Sequence, residues 1–218
     1  MNRDERKALF QEVDVYPVTC QRLSAGRTNR EVLEEVLRGG AKIVQLREKE
    51  LSTLEFYRMA LEFRERTAAA GVLLLINDRL DIALAVEADG VHLGLEDLPL
   101  AVARRLAPEM LLGASTHSIE EALEAQENGA DYINVGPIFP TGTKEGIKKF
   151  LGPRAVTEIG ARVRVPFTVM GGINESNLDQ VLSAGARRVA MVTAITQAPD
   201  IAERVRSLRR RIAAHATG

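Results

Sequence analysis

Two carboxylates and two cations stand just past apolar runs in this chain. Asp78 closes "VLLLIND", and Asp97 follows "GVHLGLE". Arg47 and Lys49 close "AKIVQLREK". A pair of carboxylates suits a hard cation: Mg2+ takes one or two of them and fills its shell with water and phosphate oxygens. Arg47 and Lys49 alternate with Gln45, so an extended backbone sets all three on one face. Cations on an inward face, without partners, cost several kcal/mol each. An anionic ligand relieves that cost. Glu48 and Glu50 also neutralise cations at a rim, but the alternation puts them on the opposite face. Each aspartate taken singly reads as the N-cap of the helix after it. Asp97 fits that role well, because Pro99 stands near a helix start. As a pair beside Arg47 and Lys49, the aspartates read as a cation site.

Further polar groups follow other apolar runs. Asn77 precedes Asp78, and Ser115, Thr116 and His117 end "LLGASTH". "FPTGTKEGIKK" supplies Thr141, Thr143 and Lys144 in a long polar segment, which reads as a lid or as an ordinary solvated loop. Gly171 and Gly172 permit close backbone approach, which serves either a tight turn or a phosphate seat. Thr193 and Ala194 end the last run. His117 reads equally as a general base and as a histidine that orients a neighbour. It has no cysteine or second histidine nearby, so no nucleophilic or zinc constellation forms. The combination points to chemistry on a diphosphate, with a monophosphate bound at the far side.

What would bring these groups together is a parallel sheet closed on itself. Eight Val/Ile-rich runs, at 15–20, 41–47, 72–77, 90–94, 111–116, 131–136, 166–171 and 188–193, predict strands. Helical patterns fall between and after them, at 29–40, 52–71, 79–88, 99–108, 119–129, 153–163, 176–185 and 200–212. Strands apolar on both faces, alternating with amphipathic helices, predict a parallel sheet covered by helices. Eight such units predict a closed (β/α)8 TIM barrel, whose site lies at the C-terminal ends of the strands. An internal echo supports this: Ala41, Ala88, Ala130 and Ala186 each precede an even strand, in "GGAKIVQL", "EADGVHLG", "NGADYINVG" and "AGARRVAMV". A small residue there lets the helix end pack against the next strand, and Gly ends the helix.

The chain has 218 residues, 45% of them hydrophobic, and a formal net charge of -1. It therefore reads as one barrel domain over 1–218, with residues 1–13 as an N-terminal extension. Nothing in the charge favours nucleic acid or an anionic membrane. The basic run "RVRSLRRRIAAH" reads as a solvated helix face. With Cys20 as its one cysteine, no apolar run of spanning length and no signal-peptide core, the chain reads as cytoplasmic.

The stretches "VQLREK", "INDRLDIALAVEADGVHLGLEDLP", "GASTHSIEEA", "GADYINVGPIFPTGTK" and "VMGGINESN" together resemble thiamine phosphate synthase, also called thiamine-phosphate pyrophosphorylase. The resemblance runs from about Val15 to about Ile195. It implies a (β/α)8 barrel, Mg2+, and the joining of hydroxymethylpyrimidine diphosphate to hydroxyethylthiazole phosphate with release of pyrophosphate. It further implies that Asp78 and Asp97 hold Mg2+. Gln45, Arg47, Lys49, Asn77 and Lys144 would bind the pyrimidine diphosphate, and Ser115 would contact it. Arg47, Lys49, Ser115 and Lys144 would form the catalytic set. Thr141, Thr143, Gly172 and Thr193 would receive the thiazole phosphate. A homodimer is compatible with the resemblance. Three positions depart from the usual pattern: Leu95 stands where Gln is frequent, Cys20 where Asp is frequent, and Thr193 where Ser is more frequent. Two alternatives remain at this level, a thiazole tautomerase on the same barrel and a non-catalytic sensor of phosphate ligands.

Overall fold

The computed structural model describes residues 1–142 and 149–216. Its strands are β1 (Val15–Pro17), β2 (Ile43–Leu46), β3 (Leu73–Asn77), β4 (Gly90–Leu93), β5 (Leu111–Thr116), β6 (Tyr132–Val135), β7 (Phe167–Val169) and β8 (Val189–Met191). All pair in parallel, each with its sequence neighbour, and β8 returns to β1. A bridge from Val18 to Gln45 brings β1 against β2 and completes the ring. The fold is a (β/α)8 TIM barrel, as the strand count predicts.

The helices are α1 (Arg3–Gln11), α2 (Asn29–Arg38), α3 (Thr53–Ala70), α4 (Leu80–Ala85), α5 (Leu100–Leu106), α6 (Ile119–Glu127), α7 (Gly152–Gly160), α8 (Leu178–Ser183), α9 (Thr193–Thr196) and α10 (Ile201–Ala216). Among the described residues no helix is long and apolar enough to cross a membrane. Helix α10 buries Ile201, Val205, Leu208 and Ile212. It pairs Arg204 with Glu175, Arg209 with Asp14 and Arg211 with Asp179. Its basic run is thus one packed face and one ion-paired outer face.

Strand parity divides the apolar residues into two cores. Val44, Leu46, Leu74, Ile76, Val91, Leu112, Ile133 and Val135 point outward under the helices. Ile43, Leu73, Leu75, Leu111, Tyr132 and Ala190 point inward and fill the barrel. The inward set includes Phe10 and Val13, which come from the N-terminal segment.

The sequence pattern does not predict α1, yet the segment carries a helix start signal. Asn2 accepts the Glu5 N–H, and the Glu5 carboxylate accepts the Asn2 N–H, a reciprocal cap. Helix α1 lies under β3 and β5 at the N-terminal end of the barrel. Arg3 pairs with Asp131 at 2.8 Å and Arg6 with Asp89 at 3.5 Å. These aspartates explain the internal echo further. Asp89 accepts the Leu74 N–H and Asp131 accepts the Leu112 N–H, each at 2.9 Å. Each carboxylate therefore ties the start of one strand to its neighbour, and each also holds an arginine of a covering helix, Arg64 or Arg104. The repeated Ala-Asp is a packing residue followed by a strand clamp.

Candidate active site

Three successive strands deliver charge to one rim, and a fourth adds a hydroxyl. Gln45 points inward from β2 and is buried, and its Nε2 donates to the Tyr16 hydroxyl at 2.8 Å. The strand ends at Leu46. Arg47, just beyond it, is half-buried with Nη1 at 3.7 Å from Cys20 Sγ. Lys49 is exposed and its ammonium donates to the Asp78 carboxylate.

Asp78 leaves β3 with φ 62°, the left-handed region. Such a conformation is uncommon outside glycine, tolerated by Asp, and persists where the surroundings hold it. Here the Asp78 N–H donates to the His92 carbonyl at 2.8 Å, which locks the end of β3 to β4. Neither aspartate caps a helix. Arg79 is the cap residue of α4 and Pro99 that of α5, both without a side-chain cap bond. Asp97 instead bends back, accepting the Gly94 N–H at 2.7 Å. That turn brings its carboxyl group against Asp78. Burial pushes the Asp97 pKa up, and the hydrogen bond to Asp78 and the charge on Asp78 push the same way, while the Gly94 N–H and, less strongly, Lys49 oppose them. Arg79 and Asp81 pair with each other at 2.6 Å, on the outside.

Ser115 accompanies this group from β5, and His92 from β4 reaches it: His92 Nε2 lies 3.0 Å from Ser115 Oγ. His92 Nδ1 lies 2.9 Å from the Tyr132 hydroxyl, which in turn lies 2.9 Å from that of Tyr16. Burial lowers the His92 pKa to about 4, against the weaker pull of the Asp78 charge. Burial raises both tyrosines. All three side chains are therefore uncharged near neutral pH.

The opposite half of the rim is made of turns. Gly171 and Gly172 follow β7 with φ 100° and 64°. A Cβ on Gly171 would stand 2.4 Å from Pro137 Cβ, and one on Gly172 2.3 Å from the Pro140 carbonyl. Both glycines thus form the tight turn on which the 137–140 segment lies. Thr141 is half-buried in that segment, while Thr143 and Lys144 lie outside the described residues. Thr193, half-buried, opens the short helix α9. His117 Nδ1 lies 2.5 Å from the Gly136 carbonyl, and the His117 backbone N–H donates to the Glu121 carboxylate. Its ring is tied through Nδ1 to the backbone after β6.

The family model described as thiamine monophosphate synthase matches residues 15–195. The chain belongs to the thiamine monophosphate synthase family. It is 47% identical over 195 residues to the thiamine-phosphate synthase of Chloroflexus aurantiacus, covering 89% of this chain and 90% of that one. It is 42% identical to the thiamine-phosphate synthase of Dictyoglomus thermophilum, covering 100% of this chain and 98% of that one. The solved thiamine phosphate pyrophosphorylase from Pyrococcus furiosus superposes with a TM-score of 0.86 at 37% identity, covering 94% of this chain and 97% of that one. A 3-hexulose-6-phosphate synthase, at 18% identity and a TM-score of 0.65, shares the barrel alone. The chain is accordingly a thiamine-phosphate synthase, a transferase of thiamine biosynthesis.

Against that family background, the sequence-predicted residues divide. Lys49, Asp78 and Asp97 meet directly. Asn77 is buried at the same strand end, next to Asp78. Gly172 and Thr193 stand on the β7–β8 side. Gln45 spends its amide on Tyr16 inside the barrel. Sequence reasoning missed Tyr16, Tyr132 and His92, which connect Gln45 to Ser115. A signal existed: by strand alternation, each is a polar ring at an inward position of an otherwise apolar strand.

Proposed function

We propose that this rim joins hydroxymethylpyrimidine diphosphate to hydroxyethylthiazole phosphate by a dissociative substitution. The bond from the pyrimidine methylene carbon to the diphosphate oxygen breaks, and pyrophosphate leaves with the electron pair. The thiazole nitrogen then donates its lone pair to the methylene carbon, giving thiamine phosphate. One observation carries the reading: Lys49, Asp78 and Asp97 converge from three successive strand ends.

The donor set suits Mg2+. Two carboxylates in contact repel each other, which is one source of the raised Asp97 pKa, and a divalent cation relieves that repulsion. Among the described residues no third acidic, histidine or cysteine side chain joins them. That leaves coordination positions for water and diphosphate oxygens, the usual preference of Mg2+. Asp78 and Asp97 would hold it, and when bound it would supply charge stabilisation to the departing pyrophosphate.

The protein's own groups do the rest. Arg47, Lys49 and Lys144 balance diphosphate charge, and a charge-assisted hydrogen bond of this kind contributes about 1.5–3 kcal/mol. Lys49 is well suited, because its exposed ammonium now resting on Asp78 can exchange that carboxylate for a phosphate oxygen. Asn77 and Ser115 fix the pyrimidine substrate, with Gln45 behind them. Thr141, Thr143, Gly172 and Thr193 seat the thiazole phosphate, so the nucleophile approaches from the other half of the rim. Alignment of the two reactants, rather than acid–base chemistry, lowers the barrier.

Asp78→Asn and Asp97→Asn test this reading. Each should lower kcat by roughly 100-fold or more, the range for losing one preorganised electrostatic group. Calorimetric binding of the thiazole monophosphate should change by less than about twofold, since that seat lies elsewhere. Full turnover in the double variant would overturn the assignment.

A further inference from the structure

A row of buried side chains crosses the barrel interior and ends at the substrate rim. It runs Gln45 Nε2 to Tyr16 Oη at 2.8 Å, Tyr16 Oη to Tyr132 Oη at 2.9 Å, Tyr132 Oη to His92 Nδ1 at 2.9 Å, and His92 Nε2 to Ser115 Oγ at 3.0 Å. The first four residues come from β2, β1, β6 and β4, and all are buried. The barrel is shaped around them. A Cβ on Gly113 would stand 2.1 Å from Tyr132 Cζ, so β5 gives up a side chain to admit that ring. Phe10, from the helix beneath, stacks on the other side of Tyr132 with ring centroids 4.3 Å apart. A buried polar row maintained at the expense of apolar packing has to satisfy every donor.

That requirement sets a direction. Gln45 donates to Tyr16, so the Tyr16 proton passes to Tyr132. The Tyr132 proton then passes to His92 Nδ1, which must be bare. His92 therefore carries its proton on Nε2 and donates to Ser115 Oγ. The direction is set by the Gln45 amide: turned over, its Oε1 would accept the Tyr16 proton and the row would run from Ser115 to Gln45 instead. With its oxygen already accepting from His92, the Ser115 hydroxyl has its proton to offer to the rim.

We propose that His92 is a positioning residue: held by Gln45, Tyr16 and Tyr132, it presents Nε2–H to Ser115 and thereby aims the Ser115 proton at an acceptor atom of the pyrimidine substrate. This rests on the reading that Ser115 touches that substrate. The interior row thus connects Tyr132, packed on Phe10 of the helix beneath, to Ser115 at the catalytic end. Its amide, Gln45, sets the polarity of the whole chain.

Two measurements test it. The first is nitrogen-15 NMR of the histidine rings in the full-length enzyme, which has three histidines, His92, His117 and His215. His92 should be neutral with the proton on Nε2 at pH 7. A proton on Nδ1, or on both nitrogens, would overturn the proposal, and this readout needs no turnover. The second is steady-state kinetics. His92→Leu removes the donor and should lower kcat about tenfold, with KM changed less than twofold. His92→Gln retains an N–H near the Nε2 position and should recover to within about threefold of the parent. In a Ser115→Ala background, His92→Leu should cost nothing further. An additional tenfold loss there, or parental kcat in His92→Leu, would refute action through Ser115. Should His92→Leu not fold, Tyr132→Phe keeps the ring and removes the proton donated to Nδ1. It should lower kcat severalfold and release the His92 tautomer, and parental behaviour in both would refute the relay. Absence of synthase turnover in the parent would count against the proposed function, leaving the tautomer test intact.

Discussion

Gly113→Ala probes how tightly the barrel interior is built around Tyr132. At a backbone conformation open to both residues, Gly→Ala stabilises by about 0.4–1 kcal/mol through the unfolded chain. Here the new methyl would meet Tyr132 at 2.1 Å from Cζ and 2.2 Å from Oη. The ring cannot simply swing aside. It is fully buried, stacked on Phe10 at 4.3 Å, with Tyr16 and His92 at 6.1 and 5.6 Å between ring centroids. Overpacking of this sort costs about 1–3 kcal/mol. Displacing the hydroxyl also forfeits two hydrogen bonds at about 0.5–1.5 kcal/mol each. The net expectation is a loss of about 2–5 kcal/mol, seen in urea titration as a lower midpoint with unchanged slope. For a chain of this size the melting temperature should fall roughly 5–15 °C. Tyr132→Leu removes all three clashing atoms, Cζ, Oη and Cε1, so Gly113→Ala in that background should be neutral or slightly stabilising. A parental midpoint for Gly113→Ala alone, or an equal loss in the Tyr132→Leu background, would refute the steric argument.

Two further outcomes follow from the same geometry. Asp131→Asn removes the charge that faces Arg3 and Arg104 and disturbs the clamp on Leu112. Breaking a buried pair on one side costs about 3–5 kcal/mol, toward the lower end here because Arg3 is 35% exposed, and equilibrium unfolding reads it directly. His92 has a folded pKa lowered to about 4 from an ordinary 6.5, so between those values the unfolded chain binds the extra proton and the folded chain does not. Its stabilising contribution is therefore complete above about pH 6.5 and is lost as pH falls toward 4, amounting to about 3 kcal/mol at most. His92→Gln should flatten that part of the stability–pH curve in metal-free protein, and an unchanged slope would contradict the assignment to His92.

Much of this architecture was legible because parity and spacing are local. Continuous Val/Ile-rich apolar runs predicted all eight strands, and the residues just past their ends included Lys49, Asp78 and Asp97. What local pattern could not supply was the contact of one carboxyl with another. Asp97 taken singly reads as a helix cap and only in company with Asp78 as a cation ligand, and it is the turn back to Gly94 that shows its side chain facing Asp78. Helix α1 was missed because its charged residues mask a single buried face, carried mainly by Phe10. The relay was missed for a different reason. Gln45, Tyr16, Tyr132, His92 and Ser115 lie on five strands, and their contacts depend on the register of the closed sheet. The echo before the even strands was seen as alanine packing, whereas at Asp89 and Asp131 it is the following carboxylate that clamps the neighbouring strand.

In the proposed mechanism, two phosphorylated reactants are joined at a rim where Asp78 and Asp97 hold a divalent cation. The most direct test incubates the purified chain with hydroxymethylpyrimidine diphosphate and hydroxyethylthiazole phosphate, with Mg2+ and then with excess chelator, while following thiamine phosphate and pyrophosphate together. Equal amounts of both products are expected with Mg2+, with near-complete loss under chelation and recovery when Mg2+ is restored. Product formation that persists unchanged under chelation, or pyrophosphate released without thiamine phosphate, would contradict it.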